Sequence, residues 1–562
     1  ICGITTAFGP AIEVISSAGF YYLTQHFNTA RTGWYPFETT LNVSNVPALK
    51  KLFSQDLSKF VDPDGNTHTL HGTTYAQPLY AHHVNIPGLG AHNVVYVATE
   101  DDTVFAFDAD TPQAPLWQRS LIPPGEQFVV IGDVGGCNNV APNIGITGTP
   151  VIDCASYTMW VVAKTKLVQG GKTTFHLRLY AIDITTGADR PGSPVEIQAT
   201  YPGKGSPNDG KGNVVFLPQW QMNRPGLLLL NGRIYIGFGS HCDFSASQYH
   251  GWVLVYDATT LQQVGVFCTT PDSDPKGDDM GAVWQGGMGL AADPEGFVYF
   301  LTGNGEFDAN TGGQNFADTA LKIPATFAVP PPTKPVDFFT PANQALLQNG
   351  GPGFEGDCDF GSGGPLILPD SAAGLPQTMV ACGKDGQIYL INRQNMGKYN
   401  GPGGPDHVLA VVQLQPGKAP GTQPGVWGGP AYFNTGQQQL VYYAGAGGPL
   451  TAFVFSGASL APAKIGAKAN QTAATFSADN GGTTPNVSSN QQTAGTGVVW
   501  ALDRNNPMHL LAWDATDLTK PPLFNQVAGQ WQNPNGGAFI EPTVIQGKVY
   551  VASDGILNVF GL

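Results

Sequence analysis

The chain has 562 residues and a formal net charge of −15, and only 12% of its residues are charged. This acidic balance argues against a nucleic-acid-binding protein, which needs a basic surface. No run of about 18 apolar residues occurs, so the sequence predicts no membrane-spanning helix. Glycine (73 residues) and proline (45 residues) are abundant and long helix-forming stretches are scarce, which predicts an all-β protein with many turns.

Residues 1–20 form an apolar segment ahead of the first repeat, and Glu13 is their one charged residue. Three interpretations stay open: a strand or coil packed on its own domain, a strand donated to a neighbouring subunit with Cys2 available for a covalent link, or a remnant of a targeting sequence. No signal peptide is visible before Ile1, so we expect a mature secreted protein, extracellular or periplasmic. Residues 21–562 are expected to form one domain.

A short repeated unit organises that domain. Residues Asn93–Asp110 read as two strands joined by a turn at Asp101-Asp102, because apolar side chains alternate on both sides of that turn. The unit returns at Arg233–Ala258, Met379–Arg393 and Lys548–Leu562. A supersecondary unit repeated at long intervals predicts a solenoid, a propeller or an array.

Eight proline or glycine markers count the repeats. They are Gln77-Pro78, Thr149-Pro150, Arg224-Pro225, Met288-Gly289, Gly364-Pro365, Gly429-Pro430, Thr484-Pro485 and Glu541-Pro542. Proline lacks an N–H group and therefore suits the end or edge of a strand. Eight markers predict a single eight-bladed β-propeller with long decorating loops. Strand Leu49–Leu57 has no partner of its own, and we expect it to close the ring against the three strands of Glu541–Leu562.

Seven cysteines are present, and none lies in a CxxC or vicinal arrangement, which argues against structural zinc. In an oxidising compartment, three disulfides and one remaining thiol fit this number. Hairpin geometry and proximity along the chain suggest the pairs Cys358–Cys382, Cys242–Cys268 and Cys137–Cys154. The alternative is that several of these cysteines are buried free thiols.

Two polar stretches are candidate cation sites. The first has an oxygen-bearing side chain at every second residue: Asn304, Glu306, Asp308 and Asn310. This spacing suits calcium, although a polar turn between strands gives the same pattern. The second is Asp357 and Asp359, expected on one face of the fifth inner strand, where the two carboxylates would raise each other's pKa or bind a cation. The alternative for this pair is a solvated loop.

A third candidate comprises His241, Asp243 and His250 near a turn of the third repeat. A histidine beside an aspartate can form a general base and the group that orients it. No nucleophile or metal motif accompanies these residues, and no G-x-S-x-G, phosphate loop or HExxH occurs. Trp284 and Trp427 on inner strands are interpreted as packing aromatics.

The repeats VYVATEDDTVFAFDAD, LLLLNGRIYIGFGS, GKDGQIYLINRQNMG and GKVYVASDGILNVFGL resemble secreted bacterial proteins of the pyrroloquinoline-quinone-like propeller superfamily over residues 21–562. Asp108 and Trp117 look like the tryptophan-docking pattern that joins neighbouring blades in that fold. The best-known members, eight-bladed quinoprotein alcohol dehydrogenases, hold the quinone between a vicinal disulfide and a tryptophan. They also bind calcium through Glu, Asn and Asp side chains. This chain has no Cys-Cys dipeptide, so no catalytic residue is carried over and the resemblance assigns neither the quinone (PQQ) nor calcium.

Two functions of different classes follow. The first is a secreted, non-catalytic binding or structural scaffold that assembles with copies of itself through residues 1–20. The second is a PQQ-dependent oxidoreductase with a diverged site, supported by the resemblance alone because a fold does not fix a function.

Overall fold

The structure is a computed structural model, and it describes residues 21–62, 64–243, 248–273, 280–351, 354, 356–370, 374–415, 425–478, 481–533 and 539–562. Segment 1–20 with Cys2 lies outside these ranges. Within them the chain is almost wholly β, with one α-helix, Gln344–Asn349. Short 3-10 helices lie at Val46–Ala48, Ile131–Val134, Ala309–Thr311 and Phe360–Ser362. None of the helices described is long and apolar enough to cross a membrane.

Eight sheets of four or more strands, numbered here in chain order, make up most of the described chain. Sheet 1 contains Tyr21–Tyr22, Leu79–Ile86, Gly90–Ala98, Thr103–Asp108 and Trp117–Ser120. Sheet 2 contains Glu126–Val130, Asn143–Ile144, Val151–Asp153, Thr158–Gln169, Lys172–Asp183 and Val195–Glu196. Sheet 3 contains Gln221–Met222, Leu228–Leu230, Arg233–Ser240, Trp252–Asp257 and Gln263–Cys268. Sheet 4 contains Ala291–Ala292, Val298–Leu301, Ala320–Ile323 and Asp337–Phe339.

The second half of the chain repeats this plan. Sheet 5 contains Leu366–Ile367, Thr378–Cys382, Gln387–Asn392 and Ala410–Gln413. Sheet 6 contains Ala431–Asn434, Gln439–Tyr443, Pro449–Ser456, Ser459–Pro462 and Gln471–Thr475. Sheet 7 contains Trp34–Tyr35, Asn486–Ser488, Val498–Asp503, Met508–Asp514 and Phe524–Gly529. Sheet 8 contains Lys50–Asp56, Thr543–Ile545, Lys548–Ser553 and Ile556–Gly561. Small ribbons pair Lys59–Val61 with Thr67–Thr69, Thr200–Pro202 with Asn213–Val215, and Lys464–Ile465 with Lys468–Ala469.

Each of the eight proline or glycine markers lies just before one strand of a different sheet, although in several sheets another strand comes earlier in the chain. Gln77-Pro78 precedes Leu79–Ile86, and Glu541-Pro542 precedes Thr543–Ile545. A proline at strand entry removes no ladder hydrogen bond, which explains why the marker keeps its place. In sheet 8, the early strand Lys50–Asp56 pairs antiparallel with the final strand, and Phe53 lies opposite Val559.

One recurring hydrogen bond ties neighbouring sheets together. An aromatic side chain of one sheet donates to the carbonyl directly after the Asp that ends the third main strand of the next sheet. The instances are Trp117 Nε1 to Ile184 O at 2.9 Å, Trp160 Nε1 to Ala258 O at 3.1 Å, Tyr442 Oη to Ala515 O at 2.5 Å and Tyr550 Oη to Ala109 O at 3.1 Å. The docking role expected of Trp117 is therefore present between sheets 1 and 2. The Tyr550 bond joins sheet 8 to sheet 1.

Residues 21–38, the inner strap, contact all eight sheets. Tyr21–Tyr22 pair with sheet 1 and Trp34–Tyr35 pair with sheet 7. Between and beyond them, the strap bonds to Ile152, Gly226, Ala292, Ile367, Tyr432 and Gly547 in sheets 2, 3, 4, 5, 6 and 8. An added Cβ on Gly226 would lie 2.2 Å from Gln25 Oε1, so this approach requires glycine. The strap therefore satisfies backbone amides along the inner edge of every sheet.

Candidate functional site

A polar cluster lies where the second main strand of several sheets ends. Glu100, His241, Asn304 and Lys384 each follow such a strand, in sheets 1, 3, 4 and 5. Chemically different side chains from six sheets meet around them. We call this cluster the inner site and define it as Tyr75, Glu100, Arg224, Trp284, Asn304, Asp359, Lys384, Trp427, Trp531 and Phe539.

Arg224 lies at the centre of the inner site. Its guanidinium carbon is 4.6 Å from the centre of the Trp284 ring and 5.6 Å from that of Phe539. The guanidinium donates to the backbone carbonyl of His241, and the side chain is buried. Burial lowers the pKa of Arg224 to about 10, an effect opposed chiefly by the Asp243 carboxylate. Arg224 therefore places a desolvated cation between two aromatic faces.

Trp284, Asp359 and Lys384 form a chain beside Arg224. Asp359 Oδ1 accepts from Trp284 Nε1 at 3.0 Å and from the Asn304 backbone at 2.9 Å. Lys384 Nζ lies 2.6 Å from Asp359 Oδ2 and 2.9 Å from Asp357 Oδ1. Burial alone would lower the pKa of Lys384, but Asp359 and then Asp357 raise it above its ordinary value. Each charge in this chain therefore has a partner of opposite sign.

The close approach of sheets 4 and 5 depends on one glycine. A Cβ on Gly303 would lie 2.2 Å from Asp359 Oδ1 and 2.5 Å from Trp284 Nε1. No real side chain fits at that distance, so glycine at 303 lets the Asp359 carboxylate reach the tryptophan.

Glu100 brings a buried carboxyl from sheet 1. Its Oε2 accepts from the Gly145 backbone at 2.7 Å and from Thr147 Oγ1 at 3.1 Å. Burial raises the pKa of Glu100 to about 8, and the Arg224 charge counteracts this only weakly. Glu100 can therefore hold or release a proton near neutral pH.

A second buried network flanks Arg224. Lys164 Nζ lies 2.6 Å from His241 Nε2 and donates to the carbonyls of Gln219 and Gln221, each at 2.9 Å. Burial lowers the pKa of Lys164 well below its ordinary value. Burial also lowers the pKa of His241, and the nearby Lys164 and Arg224 charges lower it further. This network fixes the His241 carbonyl to which Arg224 donates.

Four buried polar atoms of the inner site have no hydrogen-bond partner within the described part of the protein. They are Glu100 Oε1, Arg224 Nε, Asn304 Oδ1 and Trp531 Nε1. Such an atom typically costs about 1–3 kcal/mol of stability. The set combines acceptors and donors between aromatic walls, an arrangement suited to a small polar molecule.

The structure joins two of the predicted candidates and separates others. Asn304 and Asp359, from different stretches, meet through a hydrogen bond. Asp357 and Asp359 do not lie on a strand face as expected: both precede the 3-10 helix Phe360–Ser362, and Lys384 bridges them. The next strand starts only at Leu366, because this segment instead turns toward sheet 4.

The predicted calcium loop gains no support from its geometry. Asp308 accepts from the Asn315 backbone at 2.8 Å and the Asn315 amide at 3.0 Å, which closes a local turn. Asn304 is buried and donates to Leu347 O at 3.2 Å, whereas Glu306 and Asn310 are exposed. Among the residues described, no three His, Cys, Asp or Glu side chains gather as a metal site. The four-residue calcium site stays a prediction.

The expected histidine–aspartate pair is not formed. His241 contacts Lys164, and Asp243 accepts from Tyr249 Oη. His250 lies 3.0 Å from Thr270 Oγ1 and 3.1 Å from Ser206 O, and burial lowers its pKa to about 4. These residues serve packing and the support of Arg224, because the turn between them directs each side chain to a different neighbour.

The cysteine pairing predicted from sequence is wrong. Cys137 bonds Cys242 across 105 residues, so neither Cys242–Cys268 nor Cys137–Cys154 forms. The pair Cys358–Cys382 is also absent, and these two cysteines, like Cys154 and Cys268, are buried. Chain proximity misled the prediction because two long loops from sheets 2 and 3 meet over the inner site.

Sequence reasoning missed Glu100, Lys164, Arg224 and Lys384, and interpreted Trp284 as packing alone. Arg224 directly precedes a marker proline, and Glu100 and Lys384 follow repeated strands. Their position at equivalent points of the repeat is the signal that would have found them.

Neither a protein-family model nor a curated protein sequence matches this chain. Its fold is similar to that of a europium-containing methanol dehydrogenase, with a TM-score of 0.57 and 13% identity over 98% of this chain and 99% of that chain. It is also similar to the quinohemoprotein alcohol dehydrogenase ADHIIG of Pseudomonas putida HK5, with a TM-score of 0.56 and 13% identity over 100% of this chain and 83% of that chain. This level of identity shows the fold alone, a β-propeller of the quinoprotein alcohol dehydrogenase type.

Proposed function

We propose that this protein is a non-catalytic, exported β-propeller that binds a small anionic aromatic ligand at the inner site. The observation that carries the proposal is the set of four unpartnered buried atoms on Glu100, Arg224, Asn304 and Trp531. A ligand that supplied their partners would offset their desolvation cost. The Arg224 cation between the Trp284 and Phe539 rings favours a planar molecule bearing a carboxylate.

The scaffold of this proposal is a ring of eight blades closed by both chain ends. Eight sheets in chain order, the inner strap that contacts each of them, and the Tyr550 bond from sheet 8 to sheet 1 support it. The pairing of Lys50–Asp56 with Ile556–Gly561 supplies the closing strand.

The binding proposal is tested by titrating the protein with 1,3,5-benzenetricarboxylate and benzoate, with and without dithiothreitol, by calorimetry. We expect saturable binding in at least one redox state, weakened at least tenfold by Arg224→Met. Arg233→Met is the matched control, because Arg233 contacts Ala325 O outside the inner site. Absence of saturable binding in both redox states, or equal binding by both variants, would contradict the proposal.

Export is supported by the Cys137–Cys242 bond, since disulfides persist in oxidising compartments. We further propose self-assembly through residues 1–20, on the strength of their apolar composition. Deletion of residues 1–20 is expected to convert any oligomer to a monomer in light scattering. Two results would rule out self-assembly through residues 1–20. One is an oligomer whose mass is unchanged by the deletion, and the other is a full-length protein that is already monomeric.

A quinone-dependent oxidoreductase is the second candidate, favoured by the fold shared with the two dehydrogenases. The inner site does not fit a quinone bound with a metal ion. Arg224 covers a face of Trp284, and Lys384 already forms ion pairs with Asp357 and Asp359. PQQ added with calcium or europium is therefore expected to give no dye-linked alcohol oxidation. A visible-absorbance shift together with turnover would instead establish the enzyme.

A further inference from the structure

One side of the inner site is covered by a segment of the chain that could act as a gate. Glu100, Arg224 and Trp531 carry unpartnered atoms and are buried. Something must therefore cover the site between sheets 1, 3 and 8. Residues Cys137–Val140, which we call the mouth segment, occupy that position.

Hydrogen bonds place the mouth segment across the three sheets. Asn139 Nδ2 donates to His241 O at 3.1 Å, the same carbonyl that accepts from Arg224. Tyr75 Oη donates to Asn139 O at 3.3 Å, and Asn533 Nδ2 donates to Asn138 O at 2.8 Å. The segment thus bonds to the site at sheets 1, 3 and 8 with few contacts from each.

Apolar packing completes the cover. Val140 is buried in one cluster with Tyr75, Trp531 and Phe539, the aromatic residues of the inner site. The edge of the Tyr75 ring meets Trp531 with ring centres 4.9 Å apart. Val140 therefore belongs to the apolar packing around the aromatic residues, which include Trp531 with its unpartnered Nε1.

The mouth segment is held at its start by a covalent bond. Cys137 is disulfide-bonded to Cys242, the residue after His241, so the bond anchors the segment beside the carbonyl that binds Arg224. The neutral hydrogen bonds of the segment are weak by comparison, each worth about 1 kcal/mol. The disulfide is therefore the strongest single restraint that holds the segment over the site.

We propose that the Cys137–Cys242 disulfide is a redox latch, whose reduction releases the mouth segment and opens the inner site. This inference rests on the proposed function, because it regulates access to the same site. A thiolate of an external dithiol attacks the Cys242 sulfur, the more exposed of the two, and Cys137 leaves as a thiolate that takes up a proton. The second thiol of the reductant then resolves the mixed disulfide. Cys137 and Cys242 become thiols, and the dithiol becomes a cyclic disulfide.

The test is hydrogen–deuterium exchange of the whole protein, read by mass spectrometry, before and after dithiothreitol. Alkylation must first show that Cys137 and Cys242 have been reduced. Peptides covering residues 137–143, 73–77 and 527–533 are expected to exchange at least tenfold faster, and peptides of sheets 4 and 5 to keep their rates. A Cys137→Ser/Cys242→Ser variant should reproduce the reduced pattern without reductant.

Two results would overturn the latch. One is unchanged exchange at residues 137–143 after verified reduction. The other is faster exchange throughout the protein, which would make the bond a general staple of the fold. Asn139→Ala, which keeps the disulfide but loses the bond to His241, is the matched control and is expected to accelerate exchange by less than the double cysteine variant.

The ligand measurement separates the latch from the proposed function. Association of benzenetricarboxylate is expected to be at least tenfold faster in the reduced protein. Local opening without any binding would leave the latch standing and refute the ligand proposal. Binding at equal rates in both redox states would refute the latch alone.

Discussion

At the scale of single residues, the inner site is decided by desolvation. The Glu100 carboxyl accepts from Gly145 and Thr147, and its second oxygen has no hydrogen-bond partner among the residues that the structure describes. Burial therefore favours its neutral form, whereas Lys384 stays charged because two carboxylates flank it. Burial thus acts on both groups, and the number of charged neighbours determines whether each keeps its charge.

Glu100 makes stability depend on pH in a defined direction. Its pKa is about 8 in the folded protein against an ordinary value of 4.5, so its contribution is fully present below pH 4.5 and is lost as the pH rises to 8. We expect Glu100→Gln to remove this fall and to be more stable than the parent at pH 8 by a few kcal/mol. The free energy of unfolding in urea, measured at several pH values for both proteins, tests this expectation. Asp64→Asn, an exposed carboxyl, is the control, and a Glu100→Gln profile parallel to the parent's would contradict the assignment.

At the scale of elements, the inner strap explains how short inner strands stay ordered. Arg31 is fully buried and donates to the carbonyls of Gln25, Leu227 and Leu290 and to Thr24 Oγ1, at 2.8–3.1 Å. These four neutral acceptors belong to the strap and to the segments that lead into sheets 3 and 4. The Arg31 guanidinium therefore acts as a clamp that holds these elements together. Several marked strands have only two or three residues, such as Ala291–Ala292 and Leu366–Ile367, and the strap adds backbone hydrogen bonds to both of these.

Removal of this clamp should be costly. Arg31→Met is expected to destabilise the protein by roughly 3 kcal/mol or more, because several buried acceptors lose their donor. Chemical unfolding gives the free energy directly. Lys59→Met, which removes only a surface ion pair with Asp56, is the matched control and should cost less than about 1 kcal/mol. Equal losses in the two variants would show that the strap is not needed for stability.

At the scale of the whole molecule, sheet 8 joins residues from distant parts of the sequence. Asp56 lies directly opposite Ile556 in sheet 8, at a surface position. The double variant Asp56→Cys/Ile556→Cys is therefore expected to form a disulfide that stabilises the fold by about 2–4 kcal/mol. A cross-linked peptide in mass spectrometry and a reductant-sensitive rise in Tm measure it. The single Asp56→Cys variant controls for the substitution, and failure to cross-link would contradict closure by these strands.

Much of this architecture was readable in the sequence because its signals are local. Alternation in Asn93–Asp110 predicts the strands Gly90–Ala98 and Thr103–Asp108, and each of the eight markers lies just before a strand of a different sheet. The Trp117 docking bond was also expected from its repeat. Asn304, Asp359 and, as packing residues, Trp284 and Trp427 represented the inner site among the residues singled out from the sequence.

The sequence by itself determined the all-β class and the positions of several strands, since alternation and turn residues act over a few neighbours. Only the tertiary structure decided that Cys137 bonds Cys242 across 105 residues and that Glu100 lies near Arg224. Such contacts depend on how whole sheets pack side by side, which no local pattern specifies. The inner site is assembled from single residues of separate sheets, so its chemistry exists only once those sheets are in place.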